Sequence, residues 1–164
     1  HPKINVELGD CVDLDRMSSY DFTIYTGPID RLLDYKFGRL PYRSLRFEFQ
    51  HIPDCDLMQP VGTVNYPSFE DGDFTRVTEF KHLTGQKSSG TTLVKEYPSS
   101  EGEPYYPIPS PESKRLHERY VAELSLIRPN VHLVGRLAEY RYYNMDQAVA
   151  SALIFVKRLV NDGQ

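Results

Sequence analysis

Tryptophan is absent from the 164 residues, cysteine occurs only twice and methionine three times. Cys11 and Cys55 are too few and too far apart for a disulfide framework or a zinc pattern, so both are expected as reduced thiols. No apolar run reaches the roughly 18 to 20 residues that a bilayer requires, and no charged-then-apolar leader is present; the expectation is a cytoplasmic protein with no membrane partner. Strong positive charge is missing too. A net charge of −4 and a pI near 5.7 provide no general drive onto nucleic acid, so any anionic ligand must be met locally. The chain opens at His1-Pro2-Lys3 without a methionine and is expected to be cut from a longer polypeptide.

Several catalytic signatures are lacking as well. There is no Gly-x-Gly-x-x-Gly, so the chain carries no dinucleotide fingerprint of its own. Gly85-Gln86-Lys87-Ser88-Ser89-Gly90-Thr91-Thr92 has P-loop glycine spacing without the lysine that must follow the second glycine, and is read as a hairpin loop. The five histidines include no pair at metal-ligand spacing, so no metal is expected, and no Ser or Cys sits in a nucleophile elbow.

What is abundant is aromatic: 12 Tyr and 8 Phe, beside 12 Pro. Lys3 to Leu8 alternates as a half-buried strand would, closing in a turn at Gly9-Asp10. Phe22 to Thr26 reads as a strand, stopped by Gly27-Pro28 before a short helix at Ile29, Leu32 and Leu33. Arg43 to Phe49 places Leu45, Phe47 and Phe49 on one face, which predicts one-sided burial. Gly62 to Tyr66, Thr75 to Lys81 and Thr91 to Tyr97 suggest an antiparallel meander, and the proline-rich stretch Pro98 to Pro111 an extended surface connection. The period then becomes helical. Leu116, Tyr120, Leu124 and Ile127 follow a Ser110-Pro111 start and stop before Pro129. Val131 to Val134 is a short strand, and Met145, Ala148, Val149, Ala152, Leu153, Val156, Leu159 and Val160 form the stripe of a last helix.

These elements predict an α+β fold: a mainly antiparallel sheet over about 1–109, then a helix, a short strand and a C-terminal helix over about 110–164.

Three places could carry chemistry. Arg76 could hold a phosphate or carboxylate through its forked donors, although spacing alone favours a solvated strand face. In Glu103-Pro104-Tyr105-Tyr106-Pro107 the prolines fix two phenols that could donate to an anionic oxygen; aromatic packing is the simpler reading. From Val134-Gly135-Arg136 to Asn144-Met145-Asp146-Gln147 a strand, a basic aromatic loop and a capped helix start follow one another. Either this is an ordinary capped helix, or its N–H groups face an anion or an electron-rich ring edge.

Taken in order, Tyr25-Thr26-Gly27-Pro28-Ile29-Asp30, Asp34-Tyr35-Lys36-Phe37-Gly38-Arg39-Leu40, Tyr42-Arg43-Ser44-Leu45-Arg46-Phe47-Glu48, Thr75-Arg76-Val77-Thr78-Glu79-Phe80-Lys81-His82, Glu103-Pro104-Tyr105-Tyr106-Pro107 and Gly135-Arg136-Leu137-Ala138-Glu139-Tyr140 resemble bacterial UDP-galactopyranose mutases. The resemblance covers nearly the whole chain. It implies the C-terminal part of an isomerase of glycan biosynthesis that interconverts UDP-galactopyranose and UDP-galactofuranose on reduced FAD, with the last helix completing an FAD domain and homo-oligomers of the intact protein. It further implies that Arg76 is catalytic, stabilising UDP as it leaves; that Asn65, Arg76, Tyr106 and Tyr142 bind UDP-galactose; and that Arg136, Asn144, Met145, Asp146, Gln147 and Ala148 touch FAD. Many relatives carry Asp where Asn144 stands, which argues against a role there that needs a carboxylate. The main FAD motif is absent from this chain, so the segment alone is expected to be inactive. A flavin amine-oxidase-like fragment and a non-catalytic sugar-nucleotide-binding module are the alternatives.

Overall fold

The periodicities predict most of the elements found in the computed structural model, which describes residues 2–9 and 13–162. In chain order these are α1 (Leu14–Met17), β1 (Thr23–Tyr25), α2 (Ile29–Leu32), β2 (Tyr42–Ile52), β3 (Thr63–Asn65), a 3-10 turn (Phe69–Asp71), β4 (Arg76–Glu79), α3 (Phe80–Thr84), β5 (Thr91–Ser99), β6 (Tyr106–Pro107), α4 (Pro111–Ile127), β7 (Val131–Leu133) and α5 (Met145–Asp162). The fold is α+β, as expected. It divides into two compact units, Tyr42–Tyr105 and the residues on either side of that segment. Among the described residues no helix is long and apolar enough to cross a membrane.

In the unit from Tyr42 to Tyr105 the strands run β3-β4-β5-β2, antiparallel throughout. The expected meander is β3, β4 and β5, and β2 pairs along β5 from Ser44↔Ser99 to Ile52↔Thr91. The predicted one-sided burial of β2 does not hold. Phe49 is 67% exposed and Phe47 is exposed as well, whereas Ser44 on the opposite face is buried. The cause lies in the register: the face that carries Phe47 and Phe49 also carries Asn65, Arg76 and Glu96, polar groups that keep water close. The segment from Gly85 lies, as expected, in the connection between antiparallel neighbours, β4 and β5, which α3 lengthens beyond a simple hairpin loop. It joins α3 to β5, and Gly85 takes the left-handed conformation (φ +64) that closes the helix.

The other unit pairs β1 with β7 in parallel, Thr23↔Val131 to Tyr25↔Leu133. Phe22 stacks on His132 with centroids 4.4 Å apart, and Phe155 of α5 lies 5.5 Å from His132. Of the predicted stripe of α5, Ala148 and Ala152 are half-buried beside Ser151, whereas Met145, Val149, Leu153, Val156, Leu159 and Val160 are exposed. Helix α4 begins as expected. Ser110 and Ser113 exchange side-chain-to-backbone hydrogen bonds (3.0 and 2.8 Å), with Pro111 in the first turn. Its Tyr120 and Leu124 are fully buried.

The alternating segment Lys3 to Leu8 forms no strand, and Ile4, Val6 and Leu8 are all exposed. Alternation specifies a strand only where a neighbouring edge takes its N–H and C=O groups, and Lys3 to Leu8 pairs with no strand among the described residues. Asp10 of the expected turn and Cys11 lie outside the described residues; Cys55 is a free thiol.

One buried hydroxyl fixes the turn that leads into β2. Asp34 and Tyr35 both adopt left-handed φ (47 and 55), which costs non-glycine residues energy. The Tyr120 hydroxyl accepts the Phe37 N–H (2.9 Å) and donates to the Gly38 carbonyl (2.7 Å), while the Asp30 carboxylate takes the Leu40 N–H (2.9 Å). Burial raises the Tyr120 pKa, so the phenol stays protonated and keeps donating. Tyr120→Phe leaves both backbone groups unpaired at unchanged volume and is expected to cost about 1–3 kcal/mol, read by chemical denaturation.

Candidate functional site

Strand pairing aligns the first set of candidate side chains. Asn65 on β3 stands opposite Arg76 on β4, which stands opposite Glu96 on β5, so the three share a row on one sheet face. The Arg76 Nε donates to Asn65 Oδ1 (3.0 Å), and its Nη1 lies 3.6 Å from Glu96 Oε2. These two partners hold opposite sides of the guanidinium. The Arg76 side chain remains 42% exposed, so its fork keeps donors facing water. A planar cation held in this way is suited to a bidentate oxyanion.

Behind Arg76 on the same strand, Glu79 is a fully buried carboxylate. It accepts the N–H groups of Met58 (3.0 Å) and Gln59 (2.8 Å) and the Thr91 hydroxyl (2.5 Å), with His82 Nε2 at 3.5 Å. Burial raises its pKa, but the Thr91, Met58 and Gln59 hydrogen bonds and nearby His82 outweigh this and hold it below the usual glutamate value. Lys81, two residues on, pairs with Asp56 at 2.7 Å. Glu79 fastens the loop between β2 and β3 to the strand that presents Arg76, and Lys81 fastens it to α3.

In the other unit Tyr106 and Tyr142 stack with centroids 5.4 Å apart at 21°. The Arg136 guanidinium lies 5.0 Å from the Tyr106 ring and 6.0 Å from the Tyr142 ring, and donates to the Tyr143 carbonyl. The fold therefore brings Tyr106 from the proline-rich segment onto Arg136 and Tyr142 of a single loop, two phenols beside a cation. Glu139 organises the loop that does so. Its carboxylate accepts the Gly135 N–H (2.8 Å), the Ser151 hydroxyl of α5 (2.8 Å) and the Tyr143 hydroxyl (3.3 Å). Gly135 itself needs φ +98, a conformation that side chains disfavour.

The loop ends at α5. The Asn144 N–H donates to Gln147 Oε1 (2.8 Å), the backward half of the expected capping box. Helix geometry leaves the N–H groups of Met145, Asp146 and Gln147 without intrahelical acceptors, at the positive end of the helix dipole. Met145 and Asp146 are exposed and Ala148 is half-buried. Glu79, Glu96 and Glu139 escape a reading of sequence pattern. The position of Glu79 at the end of β4, on the face opposite Arg76, is the one signal for it; Glu96 and Glu139 stand out only once register and loop closure are known.

Comparison with known proteins gives this geometry a context. A family model described as UDP-galactopyranose mutase matches residues 1–142. A probable UDP-galactopyranose mutase of Klebsiella pneumoniae is 37% identical over 158 residues, covering 93% of this chain and 40% of the relative. A UDP-galactopyranose mutase of Mycoplasma pneumoniae is 39% identical, covering 84% and 36%. A dTDP-fucopyranose mutase of Escherichia coli is 34% identical, covering 96% and 45%. The chain thus spans less than half the length of these relatives. By the extent of the family match, the chain belongs to the UDP-galactopyranose mutase family.

Proposed function

We propose that this chain supplies part of the active site of a flavin-dependent isomerase that interconverts UDP-galactopyranose and UDP-galactofuranose. The observation that carries the reading is Arg76, held between Asn65 and Glu96 with its fork half open to solvent, in a chain of this family. Breaking the bond between the anomeric carbon and UDP moves negative charge onto the diphosphate. A pre-oriented guanidinium stabilises that charge more in the transition state than in the bound substrate. Asn65 fixes the fork, while the Tyr106 and Tyr142 hydroxyls donate to diphosphate oxygens without adding charge.

The residues assigned to FAD fit it on the chemistry of their donors. The first-turn N–H groups of α5 and the Arg136 guanidinium suit the electron-rich edge of a flavin ring, and exposed Met145 offers it an apolar side chain. The chemistry such a group would supply, if bound and reduced, is a nucleophilic electron pair for the sugar. The residues of this chain position the sugar diphosphate and neutralise its charge. The glycine-rich pyrophosphate motif is not among them, so the isolated segment is proposed to be inactive. The intact enzyme is proposed to be cytoplasmic and homo-oligomeric.

UDP added to the full-length protein is expected to shift the flavin absorption spectrum. Tyr106→Phe and Tyr142→Phe are each expected to weaken that binding about ten-fold, the effect of one lost hydrogen bond to a charged group. A flavin spectrum indifferent to UDP would favour an amine-oxidase-like enzyme. Calorimetry of the isolated chain is expected to show no heat with UDP; measurable affinity would favour a binding module that folds and works alone. The residues assigned here address the diphosphate, which dTDP-sugars share, so a parallel titration with dTDP tests the selectivity for uridine.

A further inference from the structure

We infer that Glu96 sets the affinity of this site for its diphosphate by acting as the permanent counter-charge of Arg76; the inference rests on the proposed role of Arg76. Asn65, Arg76, Glu96 and Phe47 are successive cross-strand partners on β3, β4, β5 and β2, so their side chains leave one face of the sheet in a single row. Glu96 is the sheltered member of the ion pair. Its side chain is 16% exposed against 42% for Arg76, with Phe47 next in the row. A separation of 3.6 Å is that of an ion pair rather than a tight hydrogen bond. Glu96 therefore compensates the charge of Arg76 without occupying its fork, which stays available to a ligand.

The consequence is electrostatic. With Glu96 ionised the pair is neutral, and an arriving diphosphate gains the attraction of Arg76 but meets the repulsion of a carboxylate beside it. Tighter binding of substrate and product alike would not raise the rate of the chemical step, whereas weaker binding lets UDP-sugar leave. Glu96 keeps the guanidinium oriented for the departing oxyanion and limits how strongly the resting site holds a diphosphate. It is a positioning and affinity-setting residue, and it does not react.

The sign of the effect separates this role from a purely structural one. In the full-length protein, Glu96→Gln preserves shape and removes the charge. UDP titrated against the flavin spectrum is expected to bind about three- to ten-fold more tightly, the range for one partly exposed charge interaction. The gain should shrink as salt is raised. Glu96→Asp keeps the charge and is expected to remain within about two-fold of the parent. In an Arg76→Gln background the Glu96 substitution is still expected to tighten UDP, but by less, because the diphosphate is no longer drawn to the place beside the carboxylate. If Glu96→Gln weakens UDP binding or leaves it unchanged while Arg76→Gln weakens it, the inference about Glu96 is overturned and the role of Arg76 stands. If Arg76→Gln itself leaves UDP binding unchanged, the proposed function of Arg76 fails, and the inference with it. Thermal melting of each variant identifies any that are unfolded, and Glu96→Ala then replaces Glu96→Gln with the same expected sign.

Discussion

Arg76→Ala is expected to lower kcat/KM of the full-length enzyme by about 100- to 1,000-fold, the usual loss when a preorganised donor to a developing anion is removed. Most of the loss should fall on kcat, because in the proposed reaction the charge that Arg76 meets grows as UDP departs. The geometry also predicts the result for lysine. Arg76 is held at two separate nitrogens, Nε by Asn65 and Nη1 beside Glu96. A lysine ammonium is a single point charge and cannot satisfy both partners and a diphosphate at once, so Arg76→Lys should recover only a small part of the activity. Steady-state kinetics on both variants checks this, and turnover equal to the parent in Arg76→Ala would remove Arg76 from the site.

Glu79→Ala is expected to destabilise the unit from Tyr42 to Tyr105 by about 3–5 kcal/mol, a cost typical of breaking a buried charged network. The substitution strands the N–H groups of Met58 and Gln59 and the hydroxyl of Thr91, all of which now donate to one carboxylate. The same network has a pH signature. Because hydrogen bonding holds the folded pKa of Glu79 below that of the unfolded chain, its contribution is complete above the unfolded value of about 4.3 and is lost as pH falls through the lower folded value. Denaturant midpoints measured from pH 7 down to 3 should therefore fall more steeply in the parent than in Glu79→Gln, which is already uncharged at every pH. Parallel curves for the two proteins would show that the ionised carboxylate contributes nothing.

Local pattern carries the elements whose stability is local. Period-two alternation marks β2 as a strand, and the Ser110-Pro111 start marks α4, because extended alternation and caps are decided within a few residues. The parallel pairing of β1 with β7 leaves no such mark, since the partner strands are separated by most of the chain. The same limit applies to Lys3 to Leu8, where alternation is present but no strand pairs with it, and to Phe47 and Phe49, whose surroundings are decided by residues on other strands. The candidate site divides along the same line. Arg76, Tyr106, Arg136 and Tyr142 are recognisable as residue types able to hold an anion. Their partners become visible only once register sets Glu96 opposite Arg76 and loop closure brings the Glu139 carboxylate onto Gly135, Tyr143 and Ser151.

The proposed reaction is a flavin-dependent exchange of pyranose for furanose at a UDP-sugar. The most direct measurement offers UDP-galactofuranose to the purified full-length protein, first with its flavin chemically reduced and then with it oxidised, and separates the products by chromatography. Conversion to UDP-galactopyranose by the reduced form, with little or none by the oxidised form, is the predicted result. No conversion in either state, or equal conversion in both, would contradict it.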